Sequence, residues 1–430
     1  MKYFGTDGIR GIPNEKLTLD LVTRVGMALS LLPSKTVVIA TDTRISKDML
    51  SLALASGCLS RGLKVKHIGI VPTPALLYYS YVNKVTGVMI TASHNPYQDN
   101  GIKISNLGFK LTEAEEKRIE NYIDHVESFN KEIGSFRFSF ESLSQYFSLL
   151  NQYVAKTNLK IAIDCANGAT YKTAPAVFSK VSKRLVVLHH SPDGYNINRE
   201  CGSTHLDSLK QAVVQEGCDI GFAFDGDGDR VLCVDCKGNT IDGDKMIYLF
   251  ARYLKSEHLL KEDTIVLSKM SNLGLIKDLN RRGIKVIETE VGDKYIISEL
   301  QKRNLSLGGE NSGHIILPDL LHTGDGVLNA LYLCQILSKT NTRIEDWFED
   351  LVLYKDVMIN IKVKDKNKVL QHPTLFKRIE EMKNSLHGDC KIIVRPSGTE
   401  ELIRITVMAL DEQIVEKYIE ELVKLVKESV

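Results

Sequence analysis

Three carboxylates stand at alternate positions, Asp225, Asp227 and Asp229, separated by Gly226 and Gly228 and followed at once by Arg230. Carboxylates at i, i+2 and i+4 can converge on one hard divalent cation, and glycine between them leaves no side chain to block the approach. Without a cation the three charges repel one another, so the pattern predicts a Mg²⁺ site. Arg230 at its edge suits a phosphate oxygen bound on the same metal. The competing reading is an acidic surface turn. An EF-hand is excluded: counted from Asp225, the sixth position is Arg230 and the twelfth is Cys236, where that motif needs glycine and glutamate.

Four further groups have chemistry in reach. Ser93, in Thr91-Ala-Ser-His-Asn-Pro96, follows an apolar run and precedes a proline that fixes the turn. That setting suits a nucleophile or phosphoryl carrier, and equally a turn serine bonded to its own backbone. His94 beside it can orient or protonate, or be an ordinary loop histidine. Lys103 lies close enough in sequence to reach the same place; a lysine desolvated beside other cations can act as a general acid or base near neutral pH. Glu310-Asn311-Ser312-Gly313-His314 offers donors and acceptors between glycines, and a carboxylate there can accept from two neighbouring sugar hydroxyls. Arg395-Pro-Ser397-Gly398-Thr399-Glu400 joins a guanidinium fork, two hydroxyls and a glycine, the means of holding phosphate without metal. It also reads as a β-turn between two strands, and one loop can do both.

These loops need elements to position them. Short β-rich runs at 35–41, 85–91, 160–164, 185–188, 220–224, 264–267 and 285–288 alternate with amphipathic stretches at 47–60, 172–180, 273–282 and 294–302. Alternation of this kind predicts an α/β fold with parallel sheets covered by helices, the chemistry at strand ends. The run at 85–91 delivers Ser93, and that at 220–224 delivers the aspartates. After about residue 356 the pattern changes to strands at 357–363, 391–395 and 402–408 with helices at 373–385 and 412–427, which predicts a small α+β unit.

Composition narrows the partners. Of 430 residues, 43% are hydrophobic and 25% charged, with a formal net charge of +1 and no long like-charge run. A soluble globular chain is expected, with neither nucleic acid nor membrane as its main partner. No apolar run approaches the roughly 18–20 residues of a membrane span, and the start has no signal-peptide layout. Eight scattered cysteines fit a reducing cytoplasm, and Cys233-Val-Asp-Cys236, a lone C-x-x-C, reads as an incidental strand feature.

Taken in order, the motifs resemble the α-D-phosphohexomutase superfamily, and most closely its bacterial branch acting on glucosamine phosphates. The resemblance runs nearly end to end: Gly5-Thr-Asp-Gly-Ile-Arg10-Gly11, Asp42-Thr-Arg44-Ile-Ser46, the Ser93 loop with Asp99-Asn-Gly-Ile-Lys103, Pro192-Asp-Gly194 with Asn196-Ile-Asn198, Cys201-Gly-Ser-Thr-His205, the aspartates, Met270-Ser-Asn-Leu-Gly274, Val291-Gly-Asp-Lys-Tyr295, the Glu310 loop and the Arg395 loop. It implies three topologically related α/β domains (1–152, 153–252, 253–356) and a smaller C-terminal α+β domain (357–430) around a central cleft. It implies that Ser93 carries a phosphate and that Mg²⁺ is held by Asp225, Asp227, Asp229 and a phosphoserine oxygen. Glu310 and Ser312 would bind sugar hydroxyls with His314 close by. Arg395, Ser397, Gly398 and Thr399 would grip the phosphate that is not reacting. Arg10, Lys103 and Arg230 would lie near the transferring phosphoryl group, with Lys103 as general base. The expected partners are a hexosamine phosphate and a bisphosphate intermediate, with a homodimer left open. A phosphoglucomutase or phosphomannomutase of the same superfamily is the alternative, and a hydrolase or a non-catalytic sensor are more distant ones. Two departures stand out: Glu401 where relatives usually have proline, and Lys47 where glycine commonly follows Ile-Ser.

Overall fold

The computed structural model of the chain describes residues 2–5, 7–126, 132–139, 141–396 and 401–428. Three sheets in it repeat one plan. In the first, Lys64–Ile70, Thr36–Thr41 and Thr86–Ile90 run parallel and side by side, and Asn100–Asn106 follows antiparallel to Thr86–Ile90. In the second the corresponding strands are Arg184–Leu188, Lys160–Asp164, Ile220–Phe224 and the antiparallel Val231–Asp235. In the third they are Lys285–Thr289, Thr264–Ser268, Gly308–Gly309 and the antiparallel Ile315–Ile316. The sheets are therefore mixed, not wholly parallel as the alternation predicts. The cause is loop length. The connections 91–99, 225–230 and 310–314 are shorter than the dozen or so residues a parallel crossover needs, so the chain must reverse.

Those three short reversals are the Ser93, aspartate and Glu310 loops. Each occupies the same place in its sheet, at the carboxyl end of the third parallel strand, where open α/β sheets bind ligands. The first sheet extends beyond the common plan, with Gly8–Gly11 antiparallel to Asn100–Asn106 and Phe4–Gly5 beyond it; this extension brings Asp7 and Arg10 beside Lys103.

Several helices begin at a side-chain cap just before apolar residues recur at helical spacing. Leu19–Ala28 is N-capped by Thr18, and Glu113–Asp124 opens on a capping box between Thr112 and Glu115. Gly243–Ser256 is capped by Asp242 and Gly326–Thr340 by Asp325. The second and third sheets share one apolar core with the helix Thr73–Asn83 of the first, running from Val38 and Tyr79 through Phe222 and Phe250 to Leu333. The last unit has its own core. Its antiparallel strands Lys355–Lys362, Leu402–Ala409 and Cys390–Pro396 carry Pro373–Ser385 and Glu412–Glu428, which bury Leu375, Ile379, Val415, Ile419 and Leu422. It meets the third unit through polar contacts, Lys391 Nζ on Ser271 O at 3.0 Å and on the Glu288 carboxylate, and Lys277 on Asp389. Among the described residues no helix is long and apolar enough to cross a membrane.

Candidate active site

Ser93 leaves its strand in the left-handed region, φ 53°, a conformation a non-glycine residue adopts only where its surroundings impose it. Here they do. Its N–H donates to Thr91 Oγ1 at 2.9 Å, and Thr91 Oγ1 donates in turn to Asp42 Oδ2 at 2.7 Å. Its carbonyl accepts from Arg44 Nη2 at 3.0 Å and from Asn198 Nδ2 at 2.8 Å. Arg44 is wholly buried and spends both terminal nitrogens of its guanidinium on this loop. Nε pairs with Asp42 Oδ2 at 2.8 Å, Nη1 binds Asp99 O at 2.9 Å and Pro96 O, and Nη2 also binds Asn95 O at 2.8 Å. The serine is thus fixed by its backbone, which leaves Oγ free for chemistry.

That Oγ, buried with the residue 1% exposed, donates to Asp225 Oδ2 at 2.6 Å. Gly226 permits the approach: a β-carbon there would lie 2.5 Å from Ser93 O and 2.8 Å from Asn198 Nδ2. One oxygen from each of Asp225, Asp227 and Asp229 falls within 4.8 Å of the others, and Asp227 Oδ1 and Asp229 Oδ1 are buried with no hydrogen-bond partner. Burial and the charges of Asp229 and Asp227 push the Asp225 carboxyl well above its ordinary range. Three buried oxygen donors with unspent lone pairs fit a hard divalent cation, so the acidic surface turn is set aside.

Lys103 reaches this cluster from the antiparallel strand, not from a loop. Its Nζ lies 2.8 Å from Asp227 Oδ2, 2.8 Å from Asp7 Oδ2 and 3.4 Å from Asp229 Oδ2. Burial opposes its charge, yet Asp227, Asp7 and Asp229 together hold the ammonium well above its usual range. The sequence reading assumes neighbouring cations; the structure surrounds Lys103 chiefly with carboxylates, so it keeps its proton. Arg10 donates from Nη2 to Asp7 Oδ2 at 2.9 Å. Arg230 Nη1 lies 3.2 Å from His94 Nδ1, and its buried Nε has no hydrogen-bond partner. Burial, with Arg230 and Arg10 nearby, lowers the His94 imidazole to about 4, so it is neutral at physiological pH and its Nδ1 accepts from Arg230.

The third loop is tied to the second: Val231 N donates to Gly313 O at 3.2 Å, and Gly243 N to Asn311 O at 3.0 Å. Glu310, 8% exposed, accepts from Gly292 N at 3.0 Å through one carboxylate oxygen, and the buried Ser312 Oγ has no partner. His314 turns elsewhere. Its Nδ1 lies 3.6 Å from Asp229 Oδ1 and its Nε2 3.3 Å from Asp293 Oδ2. Burial works against an imidazolium there, but Asp229 and Asp293 prevail and raise it. A ring held between two carboxylates backs the aspartate loop from the end of the Glu310 loop. Burial and the neighbouring Arg404 lower the basicity of Arg395, at the end of Cys390–Pro396, against the pull of Glu310 and Glu290, and its buried Nε has no hydrogen-bond partner. Ser397, Gly398 and Thr399 lie outside the described residues. Glu401 is exposed and its carbonyl accepts from Val363 N. Lys47 opens the helix Lys47–Leu59 and pairs with Asp48. Cys233 is buried in its strand and Cys236 donates to Glu345; the pair belongs to neither of the two candidate metal-binding clusters among the described residues.

Several residues of the site escape a reading by motif chemistry: Arg44, Asn198, Thr73, Asp7 and Asp293. Thr73 Oγ1 donates to Asp227 Oδ2 at 2.5 Å and its N–H to Asp227 O at 2.8 Å. The signal for Arg44 is present in Asp42-Thr-Arg44, a charge pair placed at the end of a buried strand. What the pair holds is not legible without the fold.

Comparison with known proteins agrees with this geometry. The family description "Phosphoglucomutase/phosphomannomutase, alpha/beta/alpha domain I" matches residues 1–130, domain II residues 139–238 and domain III residues 242–354; the family's C-terminal domain matches 358–425. The phosphoglucosamine mutase of Carboxydothermus hydrogenoformans is 41% identical over 440 aligned positions, covering 99% of each chain. That of Bacillus licheniformis is 40% identical and covers 99% of this chain and 98% of its own. A phosphoglucomutase/phosphomannomutase family protein from Burkholderia thailandensis shares the fold, with a TM-score of 0.84 at 23% identity over 99% and 96% of the two chains.

Proposed function

Because the chain belongs to the phosphoglucomutase/phosphomannomutase family, within the α-D-phosphohexomutase superfamily and nearest to phosphoglucosamine mutases, we propose that it interconverts glucosamine 6-phosphate and glucosamine 1-phosphate. The observation that carries this reading is Ser93 Oγ, 2.6 Å from Asp225 at the mouth of the aspartate cluster. A hydroxyl there serves as phosphoryl carrier, and the product feeds synthesis of a nucleotide-activated amino sugar.

Oxygens 1 and 6 stand at opposite ends of one hexose, and a fixed serine reaches one of them per binding pose. Phosphoserine 93 therefore gives its phosphoryl group to the free hydroxyl, the resulting 1,6-bisphosphate turns end for end, and Ser93 takes back the other group. Mg²⁺ on Asp225, Asp227 and Asp229 supplies charge neutralisation when bound. Arg230, whose Nε is unspent, and Lys103 add fixed positive charge where the equatorial oxygens of the transferring group gather negative charge. We read Lys103 as this electrostatic element in place of a general base, since its proton is shared among Asp7, Asp227 and Asp229. His94 orients Arg230, and His314 orients Asp229. Glu310, with one carboxylate oxygen on Gly292 N, has the other for sugar hydroxyls, joined by Ser312 Oγ.

Arg395, with Ser397, Gly398 and Thr399, is proposed to hold the phosphate that is not reacting. A separate core and polar contacts suit the last unit to act as a lid that closes over substrate and excludes water. Division of the chain at about residues 152, 252 and 356 accompanies this proposal. A reducing cytoplasm suits its cysteines, which are free throughout.

Assay of glucosamine, glucose and mannose 6-phosphates side by side tests the substrate; the highest kcat/KM is expected for glucosamine 6-phosphate, and a preference for glucose or mannose overturns it. Arg395→Lys loses the bidentate fork and is expected to raise KM about tenfold, about 1.4 kcal/mol, with kcat little changed. An unchanged KM would place the outer phosphate elsewhere. Removal of divalent cations with EDTA is expected to abolish turnover, and Mg²⁺ to restore it in the wild type but not in Asp227→Ala. Full activity in the chelated enzyme would refute the metal's role.

A further inference from the structure

A second cluster of ligand atoms lies behind the site and takes no part in the chemistry above. Asp164 ends the strand Lys160–Asp164, His189 follows the neighbouring strand Arg184–Leu188, and Cys201 precedes the short turn Gly202–Thr204. One carboxylate oxygen, one imidazole nitrogen and the thiol sulfur fall within 4.8 Å of one another. Asp164 and Cys201 are fully buried.

Two details point to a ligand. His189 Nδ1 lies 3.0 Å from Asp164 Oδ2, yet this buried nitrogen forms no hydrogen bond of acceptable geometry. At that distance the two groups form an ion pair when the imidazole is protonated, and the neutral ring keeps an Nδ1 lone pair that no hydrogen bond spends. The Asp164 carboxylate is itself oriented by the main chain, Oδ1 accepting from Ala166 N at 2.8 Å and Oδ2 from Gly202 N at 3.0 Å. Each oxygen accepts one such bond and keeps a lone pair. Oriented carboxylate, unspent imidazole nitrogen and buried thiol are a ligand set with its supporting hydrogen bonds already in place.

We infer that Asp164, His189 and Cys201 form a binding site for a borderline-soft divalent cation of the zinc class, separate from the all-oxygen aspartate cluster. Nitrogen and sulfur donors favour zinc, cobalt or nickel over magnesium, whereas three carboxylates favour the reverse, so one chain sorts two metals by donor type. Binding forms bonds from Asp164 Oδ, His189 Nδ1 and Cys201 Sγ. The thiol proton leaves to solvent, the remaining imidazole proton stays on Nε2, and no electrons are transferred. Carboxylate and thiolate together balance the 2+ charge. Ligand atoms around tetrahedral zinc stand about 3.4–3.8 Å apart, so closing from 4.8 Å needs only side-chain adjustment. Water completes the fourth position.

The site's place gives it a consequence. Asn198, three residues before Cys201, bonds Ala166 O through its N–H at 2.9 Å and uses its side-chain amide to hold Ser93 O and Asn95 O. A cation that ties Cys201 to the ends of both strands stiffens the segment that anchors the phosphoryl-carrying loop.

Cobalt(II) tests this on the full chain, loaded with Mg²⁺ and kept reduced by a non-thiol reductant. One equivalent is expected to give a near-ultraviolet sulfur-to-metal charge-transfer band, which carboxylates alone cannot produce, with zinc displacing it. Cys201→Ser removes the band. Should that variant fold poorly, His189→Ala, altering a partly exposed side chain, is expected to weaken cobalt binding on the order of tenfold or more while the far-ultraviolet circular dichroism is retained. Absence of the band in the wild type, or its survival undiminished in either variant, overturns the site. The readout involves no sugar phosphate and is independent of the mutase reaction.

Discussion

Ser93→Ala is expected to bring mutase turnover to background, a loss on the order of 10⁵-fold or more and about 7 kcal/mol of barrier. No other hydroxyl of the site is so placed. Ser93 Oγ is the hydroxyl on Asp225, whereas Thr73 Oγ1 is spent on Asp227 from the start of a helix, and the backbone that presents Ser93 is bound by Arg44, Asn198 and Thr91. Removing one oxygen leaves those three anchors intact. The left-handed conformation is imposed by main-chain bonds the alanine still makes, and the melting temperature is expected to shift by a few degrees at most. A coupled assay, a thermal melt and intact-mass analysis form the check. The wild type is expected to carry one phosphate, mapped to residue 93 and removed by phosphatase, and the variant none. Normal turnover in the variant would refute the carrier role.

Arg44 is the second position of large effect, and it separates stability from catalysis. Arg44→Ala strands the buried Asp42 carboxylate and leaves the carbonyls of Ser93, Asn95, Pro96 and Asp99 short of a donor. Breaking a buried pair by deleting one partner costs about 3–5 kcal/mol, a large part of a domain's stability, and should appear as an early urea transition. Arg44→Lys keeps the charge beside Asp42 but replaces a five-donor planar fork with a point charge of three. The loop then loses part of its tether, and kcat is expected to fall on the order of a hundredfold with KM changed much less. That split marks a positioning residue, because a residue contacting substrate would move KM as well. Unaltered kcat in Arg44→Lys would show that Asn198 and Thr91 suffice to hold the serine.

The aspartate cluster was readable in the sequence because its chemistry is local: three acids, two glycines and an arginine in six consecutive positions constrain one another whatever the fold. Ser93 was readable for a similar reason, a hydroxyl at the end of an apolar strand before a proline. Lys103 shows where such reading ends. It lies beside the aspartates, but its surroundings are carboxylates and not cations, since Asp7, Asp227 and Asp229 come from two different sheets and one of them from the chain's first ten residues. His314 repeats the lesson, facing Asp229 and Asp293, two carboxylates that its own motif does not announce.

The α/β class, the acidic triplet and the serine at a strand end follow from periodicity and from residues adjacent in the chain, because hydrophobic alternation and short-range charge repulsion act over a few positions. Which groups face which follows from pairing across loops that are remote in sequence. Arg44 reaches Ser93 from 49 positions away, and Asn198 reaches it from 105. Contacts of that range depend on how sheets are ordered and reversed, so the protonation of Lys103, the clamp on the serine and the convergence of Asp164, His189 and Cys201 belong to the folded molecule alone.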